Sequence, residues 1–126
     1  MNHKILIVDD DPGVCNSLAM LLRCERYQVD NTTDSSEALV RIKNNQYDVC
    51  IFDYKMKGLH GIDLLKVTKA QNPQCPVLII SAMLNINELC KKELKSGMLS
   101  GVISKPFVVD ELLRKIKDVI NGVRSQ

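Results

Sequence analysis

The sequence predicts an α/β fold in which a parallel sheet carries helices on both of its faces. Two patterns support this. Short apolar runs rich in β-branched residues alternate, five times in succession, with stretches whose apolar positions recur at three- and four-residue intervals. Runs such as Ile5-Leu6-Ile7-Val8 and Val77-Leu78-Ile79-Ile80 are also apolar at every position, as strands buried on both faces must be. Parallel neighbours need crossover connections, and the intervening helical stretches supply them.

The first strand is expected over Lys4 to Val8. Pro12 then suits the first turn of a helix with Asp11 as its N-cap, and Val14, Leu18, Leu21 and Leu22 form its apolar stripe. A weaker second strand lies near Tyr27-Gln28-Val29. Asp34 followed by Glu37 has the spacing of a capping box, opening a helix whose buried side is Ala38, Leu39 and Ile42. Val49 to Phe52 is the third strand, ending at Asp53. Ile62, Leu65, Lys66 and Lys69 fit a half-solvated helix that stops before Asn72-Pro73. Val77 to Ile80 is the fourth strand, ending at Ser81. Ile86, Leu89, Cys90 and Leu94 mark a helix with Gly97 as its C-terminal cap. Val102-Ile103 is a short fifth strand. Beyond Pro106, the positions Val109, Leu112, Leu113, Ile116, Val119 and Ile120 give the clearest amphipathic helix of the chain, and Gly122 to Gln126 reads as a frayed end.

With 126 residues, 45% apolar and 25% charged, the chain has the length and composition of one globular domain. A net charge of +2 gives no electrostatic case for nucleic acid, and no apolar run approaches a membrane span. The start MNHKILIVDDD reaches acids after four apolar residues, unlike a secretory signal. Five cysteines, odd in number and without CxxC spacing, read as those of a reduced, cytoplasmic protein in which most of them are small core residues.

In an open parallel sheet, sites form beyond the carboxyl ends of the strands, where strand order reverses. The predicted strands deliver Asp9 and Asp10, Asp53, Ser81 and Lys105 to that edge. Clustered carboxylates oppose one another's ionisation unless a cation sits among them. A hard divalent ion resolves that conflict, and magnesium uses one or two carboxylates with waters and phosphate oxygens. A central carboxylate can attack phosphorus to give an aspartyl phosphate. The lysine and metal would supply the charge stabilisation that phosphoryl transfer needs. One charge-assisted hydrogen bond from such a lysine is worth roughly 1.5–3 kcal/mol. A serine hydroxyl bound only to the modified state could bias two conformations.

The segments ILIVDDDP, IFDYKMKGLHG, VLIISA and ISKPF resemble, in order and spacing, the signature segments of response-regulator receiver domains of two-component signal transduction, chemotaxis regulators among them. The resemblance implies a flavodoxin-like (βα)5 fold with sheet order 2-1-3-4-5. It also implies a receiver domain over residues 1–126 with a core at about 4–120. Carried over by position, Asp53 resembles the phosphoryl acceptor, and Asp9 and Asp10 resemble the acidic pair that holds Mg2+ together with Asp53 and the backbone carbonyl of Lys55. Ser81 resembles the switch hydroxyl, Lys105 the lysine that contacts the phosphoryl group, and Lys105-Pro106 the family's cis peptide. The implied donor is a sensor histidine kinase or a phosphotransfer protein of a phosphorelay. The implied target is an output domain or effector, with the fourth-helix, fifth-strand and fifth-helix face as the surface that could also pair two copies. Neither nucleic acid nor membrane is an implied partner of this domain. It would be a switch that phosphorylates and dephosphorylates itself rather than a turnover enzyme. The sequence departs from the family at Val102, where an aromatic is usual, and at Lys57, where proline is frequent. The chain ends soon after its last helix, which suits a domain of a longer regulator.

Plainer readings apply to several residues. Asp11 is better explained as a helix cap than as a third metal acid. His3 and His60 are expected to face solvent, and Lys91, Lys92 and Lys95 to form a solvated helix face. Tyr54 and Phe107 are expected in packing, and Met56 and Met83 at the rim. Two rival functions share these residues. A haloacid-dehalogenase-type phosphohydrolase also uses an aspartyl phosphate, but Lys55 stands where its second acid belongs and no cap insertion is present. A phosphate-independent docking or dimerisation module would account for Val102 but not for the complete acidic set.

Overall fold

In the computed structural model, which describes residues 2–122, the strands are β1 (Lys4–Val8), β2 (Gln28–Thr32), β3 (Val49–Asp53), β4 (Val77–Ser81) and β5 (Gly101–Ser104). They form one sheet in the order β2-β1-β3-β4-β5, every pair parallel. The helices are α1 (Pro12–Cys24), α2 (Ser35–Asn44), α3 (Gly61–Gln71), α4 (Ile86–Leu89), α5 (Lys91–Ser96) and α6 (Val109–Ile120). This is the expected flavodoxin-like topology.

Successive side chains of a strand point to opposite faces, and the core divides accordingly. Ile5, Ile7, Val49, Ile51, Leu78 and Ile80 pack with Leu18 and Leu22 of α1 and Leu112 and Ile116 of α6. Leu6, Val8, Cys50, Phe52, Val77 and Ile79 pack on the other face with Ala38 of α2, Leu64 and Leu65 of α3, and Ile86 of α4. Truncating a fully buried residue such as Leu64 or Leu22 to alanine should cost about 2–5 kcal/mol.

The Asp11 carboxylate caps α1, accepting from the Gly13 and Val14 amides at 2.9 and 3.4 Å, with Pro12 in the first turn. Asp34 caps α2 through the Ser36 amide at 2.9 Å. The box expected with Glu37 does not close, because that side chain pairs with Arg41 one turn on at 3.0 Å. Gly97 ends α5 in the left-handed region at φ 81°.

Two elements differ from expectation. β2 runs on through the polar residues Asp30, Asn31 and Thr32, because an edge strand paired only with β1 takes its length from that register. The helix expected through Leu94 is divided at Cys90, whose φ of −103° and ψ of 11° interrupt it while its side chain stays buried. Gly122 follows α6 at φ 83°, and the remainder of the expected frayed end, 123–126, lies outside the described residues. Among the described residues, no helix is long and apolar enough to cross a membrane.

Candidate functional site

The chain leaves β1 for β2 on one side and returns to β3 on the other, so a crevice opens above the β1–β3 junction. Asp9 and Asp10 follow the last residue of β1, and Asp53 is the last residue of β3. The three side chains each bring an oxygen to within 4.8 Å of the others'. Asp9 is fully buried and Asp53 is 7% exposed, so these are not solvated loop acids.

Lys105, just beyond β5, brings its ammonium to 2.7 Å from Asp9 Oδ2 and 3.4 Å from Asp53 Oδ1. Sequence reasoning assigned this lysine toward Asp53 and its phosphoryl group, and its shorter contact with Asp9 was not foreseen. One ammonium thus serves two buried carboxylates, with Asp10 close by. Burial, followed by the neighbouring Asp9 charge, pushes the Asp53 carboxyl up to about 6, although Lys105 pulls the other way. Burial alone would lower the Lys105 ammonium, but its bonds to Asp9 and Asp53 outweigh this and raise it.

Asp9 Oδ1 is engaged by the Asp11 amide at 3.0 Å. Asp9 Oδ2 is buried, and no donor among the described residues is aligned on it, the nearby ammonium included. An all-oxygen cluster in which three carboxylates face one ammonium, and that ammonium is poorly aligned on the buried Asp9 Oδ2, fits a hard divalent cation.

Ser81 ends β4 and is buried, and its hydroxyl accepts the Met83 amide at 3.0 Å. Ile80 lies opposite Asp53, which puts Ser81 one step further out on the neighbouring strand. The Lys105 amide donates to the Ser81 carbonyl at 2.7 Å and the Lys105-Pro106 peptide is cis, as expected. Lys55 is exposed in the turn after Asp53. Val102 sits opposite Ile79, half-buried, with its carbonyl accepting from Lys115 Nζ at 2.7 Å.

The loop after β3 is held by groups that sequence reasoning missed. The buried Ser35 hydroxyl, in the first turn of α2, donates to the Lys57 carbonyl at 3.2 Å and accepts the Leu59 amide at 3.1 Å. Between those residues, Gly58 has φ 78°, and a Cβ there would come within 2.8 Å of Ser35 Oγ. The Lys57 amide reaches Asp10 Oδ2 at 3.3 Å, so the same loop touches the acidic pair. At the loop's end the Gly61 amide bonds the Tyr54 carbonyl at 3.1 Å, and a Cβ on Gly61 would collide with the Asp53 carbonyl oxygen. A serine after an N-cap carries no distinctive sequence signal, whereas the glycines at 58 and 61 were the visible hint of a crowded loop.

The plainer readings of nearby residues mostly stand. Lys91, Lys92 and Lys95 are exposed and Met83 is 38% exposed at the rim, whereas Met56, expected at the rim as well, is buried in the core. His60 is exposed and its Nδ1 accepts the Met56 amide at 3.3 Å, while His3 is half-buried rather than solvent-facing, its carbonyl taken by the Gln28 amide beside the sheet.

Residues 5–117 match the family model of the response regulator receiver domain. The chain belongs to this family. It is a receiver domain of the two-component type, from a family of switches rather than of conventional enzymes. It is 38% identical to the transcriptional regulatory protein ZraR of Escherichia coli K12 over 98% of its own length and 28% of that protein's. It is 31% identical to the regulatory protein VanRB of Enterococcus faecalis, over 95% of its length and 53% of that protein's. The chain therefore spans about half or less of these curated relatives. Among solved structures, the receiver domain of the Francisella response regulator 1452 superposes with a TM-score of 0.84 at 35% identity, covering 96% of this chain and 98% of that one. The Thermotoga maritima response regulator TrrA, solved in complex with Mg(2+)-BeF, gives 0.81 at 27% identity, covering 94% and 99%.

Proposed function

We propose that this receiver accepts a phosphoryl group on Asp53 in a Mg2+-dependent reaction and that the modification changes its affinity for an output partner. The observation that carries this reading is the charge deficit at the carboxyl edge: of three convergent acids, the two buried ones, Asp9 and Asp53, share one lysine ammonium. Asp9, Asp10, Asp53 and the Lys55 carbonyl would hold the cation, which offsets the carboxylate charge and that of an incoming phosphoryl group.

Asp53 is the nucleophile because it ends the central strand with an oxygen facing both Lys105 and the acidic pair. At neutral pH a carboxyl near 6 is mostly ionised, and a bound cation would complete its ionisation. An Asp53 oxygen attacks phosphorus as the bond to the donor's leaving group breaks. Lys105 is the group placed to follow the transferred charge, since its ammonium already lies 3.4 Å from Asp53. Ser81 would bind a phosphoryl oxygen by turning away from the Met83 amide, drawing the β4–α4 loop inward. Attack of water on the Asp53 phosphoryl group would break its bond to Asp53 and release phosphate, giving autodephosphorylation.

The donor is a histidine kinase or phosphotransfer protein of a cytoplasmic phosphorelay, and the receiver core runs over about residues 4–120. The output surface is the face of α5, β5 and α6, where a groove of about 910 Å³ is lined by Val102, Pro106, Phe107 and Lys115 among others. The same face would pair two copies. With valine at 102, we infer that the switch proceeds by loop and backbone movement rather than by rotation of an aromatic ring.

Intact mass after incubation with acetyl phosphate and Mg2+ tests the reading. A single phosphoryl adduct that disappears in Asp53→Asn and with a chelator is expected. A wild-type chain that binds Mg2+ but never gains the adduct would instead identify a phosphate-independent docking module.

A further inference from the structure

The amino-terminal end of the sheet holds two cysteines that the phosphoryl chemistry does not use. Cys50, on β3, and Cys75, in the loop before β4, bring their sulfurs to 3.8 Å in a thiol–thiol hydrogen bond. The backbone fixes this contact from both sides, since the Cys50 amide donates to the Pro76 carbonyl at 3.0 Å and β3 pairs with β4 from Cys50 and Val77 onward. Cys75 lies on a five-residue connection between α3 and β4 that has no regular structure, so one partner can adjust its backbone while the other is held in the sheet. Bonded sulfurs sit about 2.05 Å apart, so closure needs a movement of roughly 2 Å.

We propose that Cys50 and Cys75 form a reversible disulfide on exposure to a hydroperoxide, stapling β3 to the loop that feeds β4. The direction of the reaction follows from where each sulfur lies. Cys75 borders an open groove of about 660 Å³ that is also lined by Lys69, Asn72 and Pro76, whereas Cys50 does not reach that groove. Both cysteines border a small inner void with Thr68 and Ile42. An oxidant therefore meets Cys75 first, and Cys50 is the resolving thiol.

The surroundings favour this order. Lys69 places its ammonium on the Cys75 carbonyl at 2.6 Å, and the hydrogen bond from Cys50, together with the Lys69 charge, holds the Cys75 thiol below its usual range despite burial. Burial keeps Cys50 well above its usual range, as suits a thiol that donates its proton. The thiolate is the nucleophile in such reactions. The Cys75 thiolate attacks one peroxide oxygen, the O–O bond breaks, and the departing hydroxide (alkoxide from an organic hydroperoxide) takes the proton that Cys75 gave up and leaves as water or alcohol. Cys50 sulfur then attacks the Cys75 sulfenic acid, the S–O bond breaks, and the hydroxide leaves as water with the Cys50 proton. Two thiols lose two electrons in total, and the hydroperoxide gains them. A dithiol reductant reverses the bond by exchange.

Hydrogen peroxide titration of the native chain, followed by alkylation under denaturing conditions and peptide mapping, tests the proposal. The expected product links the Cys50 and Cys75 peptides, loses two of the five alkylatable thiols, regains them with dithiothreitol, and unfolds at a higher temperature than the reduced form. In Cys50→Ala, Cys75 should progress to sulfinic acid instead. Oxidation confined to the exposed Cys24, or sulfinic acid at Cys75 in the wild type without a Cys50 link, would overturn it.

Discussion

The two ends of the sheet carry similar residues and treat them in opposite ways. Toward the amino-terminal end, Asp30, midway along the edge strand β2, accepts the Tyr47 hydroxyl at 2.7 Å and lies 3.5 Å from Arg41 and 3.8 Å from Lys4, while Lys4 also bonds Asn45 at 2.8 Å. One acid there has three partners, and its side chain stays 26% exposed. At the carboxyl end, Asp9 and Asp53 share one ammonium, and Asp9 Oδ2 has no aligned donor among the described residues. The first arrangement fastens β2, α2 and the segment before β3 together. The second leaves two buried carboxylates to one ammonium. Charge count alone does not distinguish the two clusters; the burial of each acid and the number of its partners do.

That contrast can be broken most forcefully at Lys105. Lys105→Met should destabilise the metal-free chain at neutral pH by about 2–3 kcal/mol, since it strips two buried acids of the one ammonium paired with them among the described residues. Urea unfolding across pH should show that loss shrinking in acid, as the carboxylates take up protons.

Asp53→Asn should act in the opposite direction. Asp53 holds its proton more tightly when folded, at about 6, than at its ordinary 3.8. Its stabilising contribution is therefore present below about pH 4 and lost as pH rises through 6. Removing the charge should raise metal-free stability at pH 7 by about 1–3 kcal/mol and change little below pH 4. Denaturant midpoints at those two pH values would check the sign.

Ser35→Ala should cost about 1 kcal/mol by breaking its two bonds to the loop after β3. It should also weaken Mg2+ binding several-fold by calorimetry, and Ser35→Thr should restore part of the loss. Smallest of all, Asp30→Asn should cost less than about 1 kcal/mol, because an amide oxygen still accepts the Tyr47 hydroxyl and the ion pairs are partly solvated.

Much of this was legible in the sequence because strands buried on both faces announce themselves, and the residues at or just beyond their carboxyl ends are then placed at one edge by topology. Asp9, Asp10, Asp53, Ser81 and Lys105 all came to the same edge for that reason. The polar half of β2 was not legible, since Asp30, Asn31 and Thr32 are strand only through pairing with β1. Nor was the break at Cys90, where the apolar spacing continues across the interruption. Ser35 was invisible because its two partners lie 22 and 24 residues away, on a loop whose path the sequence does not reveal. The Lys105–Asp9 contact was hidden in the same way, because motif spacing places a lysine at an edge without saying which acid it meets.

Mg2+ titration monitored by thermal unfolding, run on the wild type and on Asp9→Asn at neutral pH, tests the carboxyl-edge account most directly. The midpoint should rise with millimolar Mg2+ in the wild type, following the mass action of a cation bound only by the folded chain, and stay nearly flat in the variant. A wild-type midpoint indifferent to Mg2+ would contradict it.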